Sequence, residues 1–324
     1  MRDRYGPPEV VELREVERPT PTEGQVLVRV RAASVNRADL DGLWPKPSMV
    51  RLFMGLRAPR SHEVGTDAAG VVEAVGPGAT RFKPGDEVMT DMFAAGRFGA
   101  FAEYVCAREK AFEPIPAGMS FEEAATLPHS AVLALQGLRH RDGRTIKPGD
   151  RVLIDGASGN VGPFLVQIAK AMGAEVTGVA HGDKLGFVRS LGADHVIDYT
   201  KVDYTKAGER YDWIVAVDSH HSILGVRRAL RPNGVYVTMG GETGSILAAL
   251  VVGPLISRFS DRWSGLLLWW KPMHRPDIET LKQLIAAGKL RPVIDRRYPL
   301  GQVVEALRYV EDGRASGKVV ITVS

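Results

Sequence analysis

The residues best suited to chemistry are Gly156-Ala157-Ser158-Gly159-Asn160-Val161-Gly162. They follow the apolar run Val152-Leu153-Ile154 and lead into Pro163-Phe164-Leu165-Val166-Gln167-Ile168-Ala169. The order is strand, glycine-rich turn, helix. A helix N-terminus reached through such a turn offers backbone N–H groups and the positive end of its dipole to an anion. Small residues let the chain come close to a pyrophosphate. Val161, Leu165, Ile168, Ala169 and Met172 recur at helical spacing, so one face is expected to pack down. Pro163 suits a first helical turn and Gly173 a C-terminal stop. Ala157 stands where a GxGxxG pattern has its first glycine. The flanking strand and helix, more than the glycines, therefore carry the expectation of a dinucleotide site. In NAD-specific sites an acid about 20 residues further on binds the ribose 2′-OH. Here that strand ends at Val179-Ala180-His181-Gly182, Asp183 comes slightly late, and Lys184 follows it. Tyr199 closes the next strand.

The elements that position these residues fall into two patterns. Up to about residue 117, short apolar runs alternate with Gly and Pro: Val26–Val30, Gly70–Val75, a turn at Lys83 into a strand at Val88, and Ala100–Val105. This predicts β structure. Ser120 followed by Glu122 and Glu123 predicts a helix start. From there strands and helices alternate. Strands are expected at Arg151–Asp155, Glu175–Ala180, His195–Asp198, Trp213–Val217 and Val235–Met239. Helices are expected at about 183–191 and 224–230. Such alternation predicts a parallel, doubly wound sheet. A helix at about 277–287, a strand-like Val293-Ile294, a helix at 303–310 and a last strand at 318–323 complete the chain.

At 324 residues the chain has room for two domains. Its net charge is +4, and 30 of its 42 basic residues are Arg, spread along the chain. That argues for a small anionic ligand and against nucleic acid. The single cysteine, Cys106, excludes intramolecular disulfides and a multi-cysteine zinc site, and reads as a small core residue. The N-terminus has no apolar signal-like region. The stretch Ile246–Trp270 contains Arg258, Asp261 and Arg262 and is not expected to cross a membrane. Its end, Leu266–Trp270, reads as core, pocket wall or subunit contact. A cytoplasmic protein is expected.

Taken together, these blocks resemble the medium-chain dehydrogenase/reductase superfamily, in its zinc-independent, quinone-oxidoreductase-like branch. The resemblance covers nearly the whole chain. It rests on Ala32–Asp39, Gly65–Gly70, Phe82–Asp86, Gly99–Tyr104, the glycine loop and Gly317-Lys318-Val319-Val320. It implies an α/β protein in which a Rossmann domain, residues 118–270, is inserted into a β-rich GroES-like catalytic domain, residues 1–117 and 271–324. It implies an active site in the cleft and a homodimer. In this branch a loop beginning with Ala is frequent, and NADPH-using members place a Lys and a Tyr around the 2′-phosphate, matching Lys184 and Tyr199. The cofactor is thus expected to be NADPH, held by Ala157, Ser158, Gly159, Asn160, Val161, Gly162, His181, Lys184, Tyr199 and Gly240.

Zinc-dependent relatives hold their metal with a Cys, a His and a third Cys or Asp. The first two positions here are Asn36 and Thr66, and neither suits zinc. Ser61-His62-Glu63 mimics the ligand motif but sits four residues too early. His220-His221 reads as a loop pair, and Gly313–Lys318 is one residue short of a P-loop. Without a Lewis acid, reduction of a quinone or conjugated C=C is easier than alcohol oxidation. A developing oxyanion needs donors. Asn36 and Thr66 are the candidates to orient a carbonyl or water, and Asp39 braces their loop or acts as an acid. Trp44 and the segment Pro45–Arg57 are expected to cover a small-molecule substrate. The leading function is an NADPH-dependent reductase of quinones or α,β-unsaturated carbonyls. A zinc-independent aldehyde or ketone oxidoreductase, and an NADPH-binding sensor or scaffold with little turnover, stand as alternatives. Departures from the family pattern are the late start at Tyr5, Leu133 for a usual Thr, Val215-Ala216-Val217-Asp218-Ser219-His220 in place of a usual Asp-x-Val-Gly-Gly after the fourth strand, and Asp41 near Asn36, where some relatives have a pocket tyrosine.

Overall fold

A computed structural model describes residues 1–45 and 51–324. Strands β1 to β5 are Gln25–Val35, Asp67–Val75, Glu87–Asp91, Tyr104–Arg108 and Phe112–Pro114. Strands β6 to β9 are Arg151–Asp155, Glu175–Ala180, His195–Asp198 and Tyr211–Ala216. Strands β10 to β13 are Leu230–Thr238, Trp263–Leu266, Ile294–Pro299 and Lys318–Thr322. They form two sheets in two compact units. The first unit holds residues 1–132, 271–282 and 292–324; the second holds 133–270 and 283–291. Residues 118–132, which the family resemblance placed in the Rossmann domain, pack with the first unit. His129 and Ser130 hydrogen-bond there to residues at the ends of β1, β2 and β3.

In the first unit the sheet order is β12-β13-β1-β2-β3-β5, with β4 also paired to β1. Val26, Val28 and Val30 alternate along β1 into a core with Val72, Val88, Val105 and Phe112. Past a register shift, Ala33 and Val35 join a second core with Val319, Ile321 and the helix Val303–Glu311. That helix buries Val303, Ala306 and Leu307 at i, i+3 and i+4. Each large apolar side chain so buried stabilises by roughly 1.5–3 kcal/mol. The strand expected from Ala100 begins instead at Tyr104. The N–H groups of Gly99, Ala100 and Phe101 bond to Gly65 O and Val64 O, which takes this stretch out of the ladder.

In the second unit all pairings are parallel, in the order β11-β10-β9-β6-β7-β8. This is the doubly wound Rossmann arrangement. The sheet turns one way from β6 to β7 and the other way to β9, so the switch point lies between β6 and β9. The helix Gly162–Ala171 buries Phe164 and Val166 as well as Leu165, Ile168 and Ala169, more than the single predicted stripe. The edge strand β11 was not legible, because Ile246–Trp270 shows no period-two alternation. It follows a helical segment, 243–257, with a π-helical turn at Ala248–Val252. Trp263 packs edge-on against His140 and Trp269, at 4.4 and 5.5 Å between ring centroids. No helix among the described residues is long and apolar enough to cross a membrane.

Candidate active site

The glycine loop lies at the carboxyl end of β6, at the switch point. Gly156 leaves β6 with φ +89°, a conformation that favours glycine. A Cβ there would sit 3.2 Å from Val217 Cβ, so the loops after β6 and β9 lie side by side. The N–H groups of Gly156 and Ala157 are taken by Val179 O at 3.2 and 3.0 Å. Gly162 opens the helix where a Cβ would meet Gly156 O at 2.3 Å and Ala157 C at 2.4 Å. A Cβ at Gly159 would meet nothing closer than Gly156 O at 3.7 Å. A tight turn with one open glycine at a helix N-terminus is a cradle that a side chain would fill, and it fits a pyrophosphate. Ala157 is fully buried and Ser158 nearly so; Asn160 and Val161 complete the turn.

The remaining predicted cofactor residues also lie past carboxyl ends of strands in this unit. His181 follows β7 and caps the turn Gly182–Lys184, its Nδ1 accepting from Asp183 N at 3.4 Å. Its ring meets the exposed Tyr199, which follows β8, edge-on at 6.0 Å. Lys184 is half-buried in the same turn. Asp198, the acid ending β8, is held below the ordinary carboxylate range by Thr200, which donates from Oγ1 at 2.7 Å and from N at 3.0 Å. Gly240 follows β10, and its carbonyl accepts from Thr238 Oγ1 at 2.7 Å and Ser219 N at 3.1 Å.

The first unit gathers a buried polar cluster at one end of its sheet. Asn36 follows β1 and caps the helix Arg37–Leu43; Thr66 precedes β2, Asp91 ends β3 and Lys318 begins β13. The ladder places Asp67 opposite both Ser34 and Asp91. Asn36 Nδ2 donates to Thr66 Oγ1 and Asp67 Oδ2, both at 2.9 Å. Asn36 Oδ1 accepts from Lys318 Nζ at 2.5 Å and Ser130 Oγ at 3.0 Å. His129 donates its N–H to Asp67 Oδ1 at 3.1 Å, and its Nδ1 lies 3.0 Å from Asp91 Oδ2. All of these side chains are buried.

Asp39 accepts from Asn36 N at 2.7 Å through Oδ2, so it braces the loop; its Oδ1 is buried and has no partner among the described residues. Burial pushes its carboxyl up to about 7. Burial also raises Asp67, against the attraction of Lys318, and lowers the Lys318 ammonium, against the pull of Asp67. His129 is raised although burial opposes its charge, because Asp91 is adjacent.

Asp41, expected beside the substrate, lies on the exposed face of its helix and pairs with Arg37 at 3.3 Å. Trp44 is half-exposed. Much of the expected substrate cover after it, residues 46–50, lies outside the described residues. His62 Nδ1 contacts Arg2 O and Asp3. His220 pairs with Asp218 and Glu242, while His221 packs on Tyr204.

Residues 22–117 match the alcohol dehydrogenase GroES-like domain, and residues 191–321 match a domain described as zinc-binding dehydrogenase. The 2-methylene-furan-3-one reductase of Solanum lycopersicum is 32% identical over 327 residues, covering 98% of this chain and 76% of that protein. The chain belongs to the medium-chain dehydrogenase/reductase superfamily, in its quinone-oxidoreductase-like branch. A chloroplast envelope quinone oxidoreductase homolog of Arabidopsis thaliana is 31% identical, over 94% of this chain and 91% of its own. The structure of the quinone oxidoreductase from Coxiella burnetii superposes with a TM-score of 0.84 at 28% identity, over 100% of this chain and 98% of its own. Membership makes the chain an NAD(P)H-dependent oxidoreductase. For a member of this superfamily, the residues that sequence reasoning passed over are Asp67, Asp91, His129, Ser130 and Lys318. Lys318 did leave a signal: it is the one charge at the head of the apolar strand Val319-Val320-Ile321.

Proposed function

We propose that this oxidoreductase uses NADPH to reduce a quinone or an α,β-unsaturated carbonyl without a metal. The observation that carries the reading is Lys318 Nζ, 2.5 Å from Asn36 Oδ1. An ammonium at that distance repels a divalent cation, and the amide and hydroxyl beside it are poor zinc ligands. The domain description of zinc binding therefore does not fit this donor set. The nicotinamide, when bound, supplies the hydride. The chain's task is to hold the dinucleotide on the glycine loop with Gly240 nearby, and to present donors from the Asn36–Thr66 cluster. Asp39 keeps that loop in place. The names of the tomato and Arabidopsis relatives support the substrate class. NADPH oxidation with a panel of quinones, enones and aldehydes tests the reading: quinones or enones should turn over at least ~10-fold faster than aldehydes. Stoichiometric zinc in the purified protein would overturn it.

NADPH preference rests on Lys184 and Tyr199, with His181 alongside, and on the commitment of Asp198 to Thr200. Lys184→Ala should raise the KM for NADPH about tenfold and leave that for NADH unchanged, since a phosphate contact of this kind contributes about 1–2 kcal/mol. The working form in this reading is a homodimer. The edge strand β11 and the exposed Val251, Leu255 and Phe259 (82% accessible) support it. Light scattering should return twice 35.2 kDa, and Phe259→Glu should return the single-chain mass. Work in the cytoplasm suits a lone, free and buried thiol, Cys106.

A further inference from the structure

The start of β1, the segment 93–97 and the end of β4 line a cavity of about 510 Å³, and every lining residue belongs to the first unit. That volume falls within the roughly 300–1,000 Å³ of sites that hold small organic ligands. Arg97, Arg108 and Lys110 bring three positive charges to its wall, and no acid lines it. Glu109, between two of them in sequence, is committed elsewhere: its Oε2 accepts from Thr80 N and Arg81 N, both at 2.8 Å. The exposed side chains of Arg108 and Lys110 make no hydrogen bond or ion pair among the described residues. Arg97 is anchored more than neutralised. Its Nη2 donates to Cys106 O at 2.6 Å, while Glu63 stands 3.9 Å from Nη1. Burial pushes the Cys106 thiol up, against the pull of Arg97, so it adds no negative charge.

Gln25 adds donors to the same wall. Its Oε1 accepts from Thr22 N at 2.9 Å and Thr22 Oγ1 at 2.8 Å, with the Cys106 thiol at 3.6 Å. A backbone N–H can only donate, so that atom is the oxygen, and this fixes which way the amide faces. Both hydrogens of Gln25 Nε2 are left without an acceptor among the described residues. Phe93 and three alanines supply an apolar surface beside these donors.

We infer that this cavity binds a small, multiply charged organic anion, a phosphate ester or a polycarboxylate. Guanidinium and ammonium groups with no acid beside them match the charge, and the apolar wall matches a carbon body. The site does not depend on the reductase reading, since none of its lining residues is among the predicted cofactor or catalytic residues.

Cys106 is the only cysteine, so ¹⁵N-cysteine labelling of the full-length protein gives one backbone signal, from the cavity wall. ADP and citrate are the probes, with sodium chloride at matched ionic strength as the control. One of the two should shift the Cys106 signal to saturation below about 10 mM, and the tighter one identifies the source of the charge. Arg108→Ala and Lys110→Ala should each weaken that probe about five- to tenfold and leave the melting temperature unchanged. Gly159→Ala, in the glycine loop of the second unit, should leave the titration as it was. Saturation by neither probe overturns the inference. So does an equal shift with chloride, or unaltered affinity in both charge variants. A titration lost in Gly159→Ala would mean that Cys106 reports ligand on the glycine loop, and would overturn it too.

Discussion

Gly162→Ala is expected to weaken NADPH binding at least ~100-fold and to lower the unfolding free energy by about 2–4 kcal/mol. The added Cβ would lie 2.3 Å from Gly156 O, 2.4 Å from Ala157 C and 2.5 Å from Ala157 O. All three are backbone atoms, so no side chain can rotate away. The loop would have to leave the position fixed by the bonds from Gly156 N and Ala157 N to Val179 O. Gly159→Ala is the informative companion. Its Cβ would meet nothing closer than 3.7 Å, so stability should change little. The methyl group would instead stand in the open face of the turn and weaken the cofactor selectively. Calorimetric titration with NADPH and denaturant unfolding of both variants check the pair. A Gly162→Ala protein with unaltered affinity would place the dinucleotide elsewhere.

The second large effect concerns Asp39, whose carboxyl is pushed up to about 7 by burial, against about 4 in an unfolded chain. The folded state therefore holds this proton more tightly than the unfolded state. Between pH 4 and pH 7 the unfolded carboxyl is ionised while the folded one resists ionisation. The resulting loss of stability grows with pH and is complete above about pH 7. Asp39→Asn removes the charge yet keeps an oxygen to accept from Asn36 N. The buried Oδ1, which has no partner among the described residues, becomes a neutral unpartnered group, a penalty of about 1–3 kcal/mol but smaller than that of an unpartnered charge. The variant should be no more stable than the parent at pH 4 and about 1–2 kcal/mol more stable at pH 8. Urea unfolding across that range measures it. A difference that does not change with pH would mean the carboxyl is not the group responsible.

The local elements of the second unit were legible in the sequence. Glycine loop, flanking strand and helix are contiguous, and their periodicities follow from local backbone geometry; the structure adds Phe164 and Val166 to the packed faces. His181, Lys184 and Tyr199 fall together because a parallel sheet brings the carboxyl ends of successive strands to one edge. Asn36 and Thr66 were found through short motifs, but what they do was not readable. Their partners are 30 to 282 residues away in the chain. Only the pairing of β1 with β2 and β13, and of β2 with β3, brings Asp67, Asp91 and Lys318 to one end of the sheet. A lysine within a GKVV tail looks like a surface charge until β13 is known to pair beside β1. Strand β11 escaped for a related reason, since a short stretch such as Trp263-Ser264-Gly265-Leu266, without apolar alternation, becomes a strand only when a neighbouring edge supplies its hydrogen bonds. Local patterns fix local elements; which side chains meet, and which of their hydrogen bonds remain for a ligand, is decided by register between distant strands.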